Sequence, residues 1–358
     1  MPNIKRSQTA DKQQALHRKL PGSYYIILLI FIVIIIIICI ILQSGSSDRL
    51  NVYYLMTMDT SVELRFTESK KKNAEQIRDT VSAEMIRLET IFSRSLPNSE
   101  INEVNRQAGL KPVSVSHEVI YVAVQAYYYA RISDGAFDPT IAPLIDLWGF
   151  LGHNYRLPTT AEIENILPLV DYTLLEIDSE QSSLFLPRAD MGLELGGIAK
   201  GYIVDRALEA LSSEGIEHAF INAGGDIGLI GTRTDGSPWK IGVRHPREEN
   251  KIIAVFPATG GAVVTSGDYE RFFSEEGITY HHILDPETGM PARELASVTI
   301  AAQTAIDADA LSTAVFVLGP TKGLALIESL PGVEGILITP NLEILISSGL
   351  EGIVELNY

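Results

Sequence analysis

The chain of 358 residues carries 28 Lys and Arg against 45 Asp and Glu, a formal net charge of −17. Six of the basic but two of the acidic residues fall in the first fifty, so the remainder is more acidic still, a surface that argues against non-specific nucleic-acid binding. Cys39 is the single cysteine, which excludes disulfides, a thiolate nucleophile and cysteine-held metal from everything beyond residue 50.

Residues 1–23 form a basic tail, with Lys5, Arg6, Lys12, Arg18 and Lys19 against one acid, Asp11. Residues 24–42 are an uninterrupted apolar run, mostly isoleucine. At about 1.5 Å per residue this run spans roughly 28 Å, close to the ~30 Å hydrocarbon core of a bilayer. It predicts a transmembrane anchor. The positive flank stays inside, so the expectation is a single-pass protein of the cell membrane with its main domain on the periplasmic side. Ser44-Gly45-Ser46 offers small residues for signal cleavage, but the run exceeds the usual signal-peptide core. A lipoprotein is excluded because Ile36-Ile37-Ile38, not small residues, precede Cys39.

Residues 43–50 read as a polar linker and 51–358 as the functional domain. Residues 51–66 suggest a strand hairpin turning near Asp59-Thr60. Ile77, Val81, Met85, Leu88 and Phe92 recur at steps of four and three, one face of an amphipathic helix. Helical patterns follow over 117–131, 141–148 and 161–167. From Tyr172 onward short strands dominate: LLEID, SLFL, HAFINAGG, WKIGV, IIAVF, AVVTSG, HHILDP, SVTIAA and finally EILISS. Helices over 200–211 and 309–317 interrupt them. Helices early and strands late predict an α+β fold rather than a βαβ array.

Three polar clusters stand out. Asp309, Ser312 and Thr313 share one helical face at an expected helix start, placing a carboxylate and two hydroxyls together. Magnesium takes such hard oxygens, and a helix N-terminus favours phosphate. Taken alone, the same residues are ordinary helix capping. Glu194-Leu-Gly196-Gly197-Ile-Ala-Lys200-Gly201 is a glycine-rich strand-to-helix turn that lacks both the P-loop and dinucleotide patterns. His281-His282-Ile-Leu-Asp285-Pro286-Glu-Thr288-Gly289 ends in turn chemistry, and His282 beside it could accept a hydroxyl proton. Asn222-Ala-Gly224-Gly225-Asp226 and Thr265-Ser266-Gly267-Asp268-Tyr269 are further polar strand ends. HEVIY at His117 lacks the second histidine of a zinc motif.

The ordered series GAFDPTIAPL, ELGGIAKGY, INAGGD, TSGDY, HHILDPETG and DADALSTA closely resembles the FAD:protein FMN transferase (ApbE-type) family, from about Leu55 to near the C-terminus. The resemblance implies a tunnelling-fold-like core in two intimate lobes with FAD between them. It implies Mg²⁺ held by Asp309, Ser312 and Thr313, with the Gly197 carbonyl as a further ligand. FAD contacts would come from Met58, Ala136, Phe137, Asp138, Glu194 and Lys200, with His282 and Ile283 beside the flavin phosphates. The implied reaction moves FMN from FAD to a Ser or Thr hydroxyl of a membrane redox subunit and releases AMP, with His282 and Asp309 catalytic.

The chain departs from the family pattern in three places. Ser95 replaces a tyrosine that many relatives carry, Asp59 replaces the glycine of Met-Gly-Thr, and a membrane helix replaces a lipid anchor. With Ser95 opening space for water at the FAD site, an FAD pyrophosphatase giving FMN and AMP is the first alternative. A tethered flavin-binding protein without turnover is the second.

Overall fold

The computed structural model describes residues 29–35, 49–68, 73–152 and 154–357. Residues 29–35 are helical and exposed, and the rest of the expected anchor lies outside the described residues. Leu50–Tyr358 forms one compact unit by its internal contacts, rather than separable lobes.

Its centre is an eight-stranded sheet. Edge to edge it runs Arg49–Thr57, Thr60–Glu68, Ala219–Ala223, Asp226–Ile230, Gly261–Gly267, Ser297–Ala302, Glu334–Ile338 and Ile344–Ile346. The registers from Thr60–Glu68 to Ile344–Ile346 are all antiparallel. The first hairpin turns at Met58 and Asp59, both with φ of 54°. Two successive left-handed residues make the tight turn whose twist suits a hairpin, and aspartate tolerates that region better than most non-glycine residues. That explains how Asp59 replaces glycine without loss of the turn.

Both faces of the sheet are covered. Ala262, Val264, Val298, Ile300 and Leu337 face the main core, while Val263, Ile336 and Ile338 join a second cluster with Ile241, Val243 and Phe256. Alternate residues therefore meet different cores, and Ser297 and Thr299 are buried along with their apolar neighbours. The main core is closed by helices. In Ala74–Phe92 the buried residues are Ile77, Val81, Met85, Leu88 and Phe92, the face set by the sequence spacing, and Asn73 caps the first turn by accepting from Glu75 N at 3.1 Å.

The helix expected over 309–317 is longer, Ala305–Ser329, with Thr304 as its cap and a break at Gly319 (φ 75°) before Pro320. Among the described residues it is the one helix long and apolar enough to cross a membrane, yet it packs in the core. Its start lies a full turn before Asp309, so the free N–H groups expected beside Asp309 lie elsewhere. Those of Ala305 and Ile306 are taken by the Asp205 carboxylate, at 2.7 and 2.9 Å. The strand expected across HHILDP also stops early. Ile278–His281 pairs with Phe272–Glu275, and His282 follows outside the ladder.

Ala305–Ser329 crosses Ala199–Ser213 at Gly201. A Cβ on Gly201 would meet the Ala305 carbonyl oxygen at 2.2 Å and Asp309 Cβ at 2.8 Å. Glycine is required by that close approach. Gly201→Ala should lower stability by about 1–3 kcal/mol through overpacking of the crossing, measured by urea unfolding. An unchanged midpoint would contradict the contact.

Candidate active site

A cavity of about 490 Å³ opens where the ends of these elements converge. That lies within the usual size of small-molecule sites. Asp309, Thr313, Gly197, Lys200, Glu194, His282 and Ile283 line it, as do Met58, Ser95, Ala136, Phe137 and Asp138. Residues spread over 256 positions of sequence are thereby brought to one wall system.

One expected residue stands apart. Ser312 is fully buried and does not line the cavity. Its hydroxyl donates to the Asp309 carbonyl at 2.8 Å and shares a hydrogen with Ser266 Oγ at 2.8 Å. A hydroxyl committed to two protein oxygens ties the helix to the sheet, and Ser266, not Ser312, meets the cavity.

At the floor sit three charges. Lys200 Nζ forms an ion pair with the buried Asp226 Oδ2 at 3.0 Å. Asp309 Oδ2 accepts from Gly201 N at 2.9 Å. Burial and the neighbouring Asp226 charge push the Asp309 carboxyl up to about 8, against the opposing pull of Lys200. Burial also raises Asp226, despite Lys200. Desolvation works against the Lys200 ammonium, but the two carboxylates outweigh it and its pKa is raised. One lysine thus balances one carboxylate, and the other must hold a proton or a cation.

Gly197 closes that corner. A side chain there would meet Thr313 Oγ1 at 3.2 Å and the Phe137 ring at 3.3 Å. The backbone of the glycine-rich turn, the Thr313 hydroxyl and the Asp309 carboxylate therefore present hard oxygens at close quarters. Among the described residues no three His, Cys, Asp or Glu side chains group as a metal site. A cation here would rely on hydroxyl, carbonyl and water oxygens, as magnesium does.

His282 lines the same cavity from the segment that follows Ile278–His281. Its Nδ1 lies 3.3 Å from the Arg271 carbonyl oxygen, and its own N–H donates to the same oxygen at 3.0 Å. A carbonyl only accepts, so Nδ1 carries the ring hydrogen and Nε2 is left as the basic nitrogen. Burial, then the Arg271 charge and His281, push the imidazole down to about 3, so it is neutral at physiological pH. The Phe150 ring packs edge-on at 6.4 Å. Behind it Trp148, Tyr155, Phe273 and Tyr280 form an aromatic cluster that holds this wall.

Several expected ligand contacts also serve the fold. Asp138 accepts from Thr140 N and Oγ1 at 2.7 and 2.6 Å and from Tyr172 N at 3.0 Å. Its carboxylate shapes the turn that presents Ala136 and Phe137. Glu194 accepts from Gly196 N at 2.7 Å and from Arg94 Nη1 at 3.1 Å. Arg94, Asp226 and Arg271 were given no role from sequence, yet all three line the cavity. The polar strand end INAGGD was the signal for Asp226. For Arg94 and Arg271 the sequence held none, because each acts on partners far along the chain.

Comparison with known proteins follows this geometry. The ApbE family pattern matches residues 58–337. An FAD:protein FMN transferase of Klebsiella pneumoniae (strain 342) is 33% identical over 305 residues, covering 85% of this chain and 93% of that protein. One from Treponema pallidum (strain Nichols) is 33% identical over 277 residues, 73% of this chain and 76% of its own. The crystal structure of the ApbE protein of Thermotoga maritima superposes with a TM-score of 0.79 at 36% identity, covering 85% of this chain and 99% of that one. The flavin transferase ApbE of Vibrio cholerae gives 0.78 at 26% identity, covering 86% and 99%. With the mixed α/β fold, the cavity and the relatives in agreement, this chain belongs to the ApbE family.

Proposed function

We propose that this enzyme is a flavin transferase that moves FMN from FAD to a Ser or Thr hydroxyl of a protein, releasing AMP. The observation that carries the chemistry is the pairing of a buried carboxylate, Asp309, that needs a counter-charge with a neutral His282 whose Nε2 is free.

FAD is the substrate. The acceptor oxygen attacks the phosphorus on the FMN side, the bond from that phosphorus to the bridging oxygen breaks, and the electron pair leaves with AMP. His282 Nε2 takes the hydroxyl proton. The imidazole is neutral near neutrality of the medium, and its hydrogen-bonded Nδ1–H keeps the ring oriented. Its low pKa makes it a weak base in the free enzyme, and the negative charge of a bound pyrophosphate would raise its basicity toward that of a working general base. Lys200 lies beside the carboxylates to meet phosphate charge. Glu194, Met58 and the Ala136–Asp138 turn are assigned to holding the dinucleotide, and Ile283 and Phe150 to excluding water from the reacting end. Positioning and charge balance dominate such phosphoryl transfers.

Asp309, Thr313 and the Gly197 carbonyl are the residues that would hold Mg²⁺, and a carboxyl that burial keeps from ionising without a second cation supports this fit. When bound, the ion neutralises pyrophosphate charge as it builds. Ser312 is assigned to orienting Asp309 rather than to the ion.

The acceptor is proposed to be a flavin-dependent redox subunit at the membrane. The apolar run at 24–42 and its basic flank support a single-pass anchor with the domain on the periplasmic side, where tethering raises the local concentration of such a partner. Ser95, exposed at the cavity rim, favours a second outlet, transfer to water, when no acceptor is present.

The deciding experiment is mass spectrometry of a candidate acceptor after incubation with FAD and Mg²⁺. A covalent FMN adduct is expected, and AMP release without adduct on any acceptor would replace transfer by hydrolysis. His282→Ala should cut transfer by about 10²–10⁴-fold with FAD binding retained, read by AMP release and flavin fluorescence. The raised pKa of Asp309 sets a sign for metal linkage. Below about 8 the cation must displace a proton. The cost of the ionised carboxylate to the metal-free fold builds as pH rises from the ordinary aspartate value of 3.8 toward about 8 and is complete above it. Mg²⁺ should therefore raise the melting temperature more at pH 8.5 than at pH 6, and Asp309→Asn should abolish the difference. An equal Mg²⁺ shift at both pH values would remove Asp309 from the metal site.

A further inference from the structure

Arg94 is a buried cation that the proposed chemistry does not use. It follows the helix Ala74–Phe92, and its side chain is 7% exposed. Its backbone carbonyl is pinned by Asn102 Nδ2 at 2.8 Å. The guanidinium then reaches two carboxylates distant in sequence. Nη1 donates to Glu194 Oε2 at 3.1 Å and Nη2 to Asp146 Oδ2 at 2.6 Å.

Each partner sits on a different wall. Glu194 Oε1 receives the Gly196 N–H at 2.7 Å, and Glu194 N donates to the Pro139 carbonyl at 2.7 Å. Glu194 thus fixes the glycine turn whose next residue is Gly197. Asp146 lies in Ala142–Leu147, two residues before Trp148, whose ring packs on Tyr280 at 5.5 Å in the hairpin that leads to His282. A single planar fork therefore joins the wall of the glycine turn to the wall of the base.

The pair is poorly built for stability alone. The guanidinium is taken out of water while Asp146 stays half exposed and Glu194 partly so, and the cost of burying the cation is offset only in part by screened partners. Nε is buried with no partner at all, a further cost. What the arrangement does supply is orientation, because a guanidinium fork fixes two carboxylates at once where an ammonium acts as a point charge.

We infer that Arg94 is a positioning residue that sets the Gly196–Gly197 turn through Glu194, and so tunes the affinity of the cation site at Asp309 and Thr313. This rests on the proposed metal reading of Gly197, Asp309 and Thr313. Arg94 occupies the position before Ser95, so its fork also braces the rim where the aromatic ring of many relatives is absent.

The test uses the full-length enzyme and Mg²⁺ itself. Half-saturating Mg²⁺ is measured by thermal shift and by AMP release for Arg94→Gln, Arg94→Lys, Glu194→Gln and the Arg94→Gln/Glu194→Gln double variant. FAD affinity is measured separately in EDTA. Residues that orient a metal ligand are typically worth 10–100-fold in metal affinity, so Arg94→Gln should raise half-saturating Mg²⁺ by about tenfold or more. Arg94→Lys should recover part of that shift, and in the two single Arg94 variants metal-free FAD affinity should change far less. The double variant should be no worse than the worse single one, since both act on one connection.

Multiplying effects in the double variant, or an unchanged Mg²⁺ requirement in Arg94→Gln, would overturn the inference. Should Arg94→Gln not fold, Arg94→Lys and Asp146→Asn carry the same comparison, and an unchanged Mg²⁺ requirement in both overturns it. Asp309→Ala separates the two levels. If it keeps its Mg²⁺ response, the metal reading fails and takes this inference with it. If it loses that response while the Arg94 variants keep theirs, only the role of Arg94 fails.

Discussion

The arrangement of the molecule depends on a close crossing of two helices at Gly201. There Ala199–Ser213 and Ala305–Ser329 approach so nearly that no side chain fits between them. The crossing puts Lys200 from one helix beside Asp309 from the other, and Gly201 N–H directly on the Asp309 carboxylate. Asp205 from the first helix caps the second. The site at the floor of the cavity follows from that packing, which holds Asp309 against the Gly201 N–H with little of its surface exposed.

Burial then decides the electrostatics. In water, two aspartates and a lysine would all be ionised and weakly coupled. In the cavity floor the lysine stays charged, one carboxylate is matched, and the other holds a proton or a cation. The same desolvation acts in the opposite direction on His282, where it removes the proton and leaves a neutral base. One physical effect therefore acts on both sides of the site: burial favours a neutral carboxyl at Asp309 and a neutral imidazole at His282.

The walls are built differently. The floor rests on helices locked into the main core, whereas the His282 wall rests on a separate aromatic cluster beneath a two-stranded hairpin. Aromatic rings fill the space there with little conformational freedom, so a loop residue can be held nearly as firmly as one on a strand. Arg94 spans the gap between the two supports.

The sequence alone determined much of this. The amphipathic spacing of Ile77 to Phe92, the hairpin at Asp59, the order of helices before strands and the ApbE-like motifs all depend on local pattern, and each is found in the structure. Spacing alone marked Asp309, Thr313, Gly197, Lys200 and His282 only as polar or glycine-bearing turns and helix starts. It was the resemblance of the ordered motifs that joined them into one expected site, and all five line the cavity. Contacts between distant segments were not. That Ser312 turns to Ser266, that Thr304 rather than Asp309 begins the helix, that Asp226 faces Lys200, and that Arg94 reaches Asp146 and Glu194 were settled only by tertiary packing. Burial and partner choice are properties of the assembled core, and no window along the chain contains the neighbours that decide them.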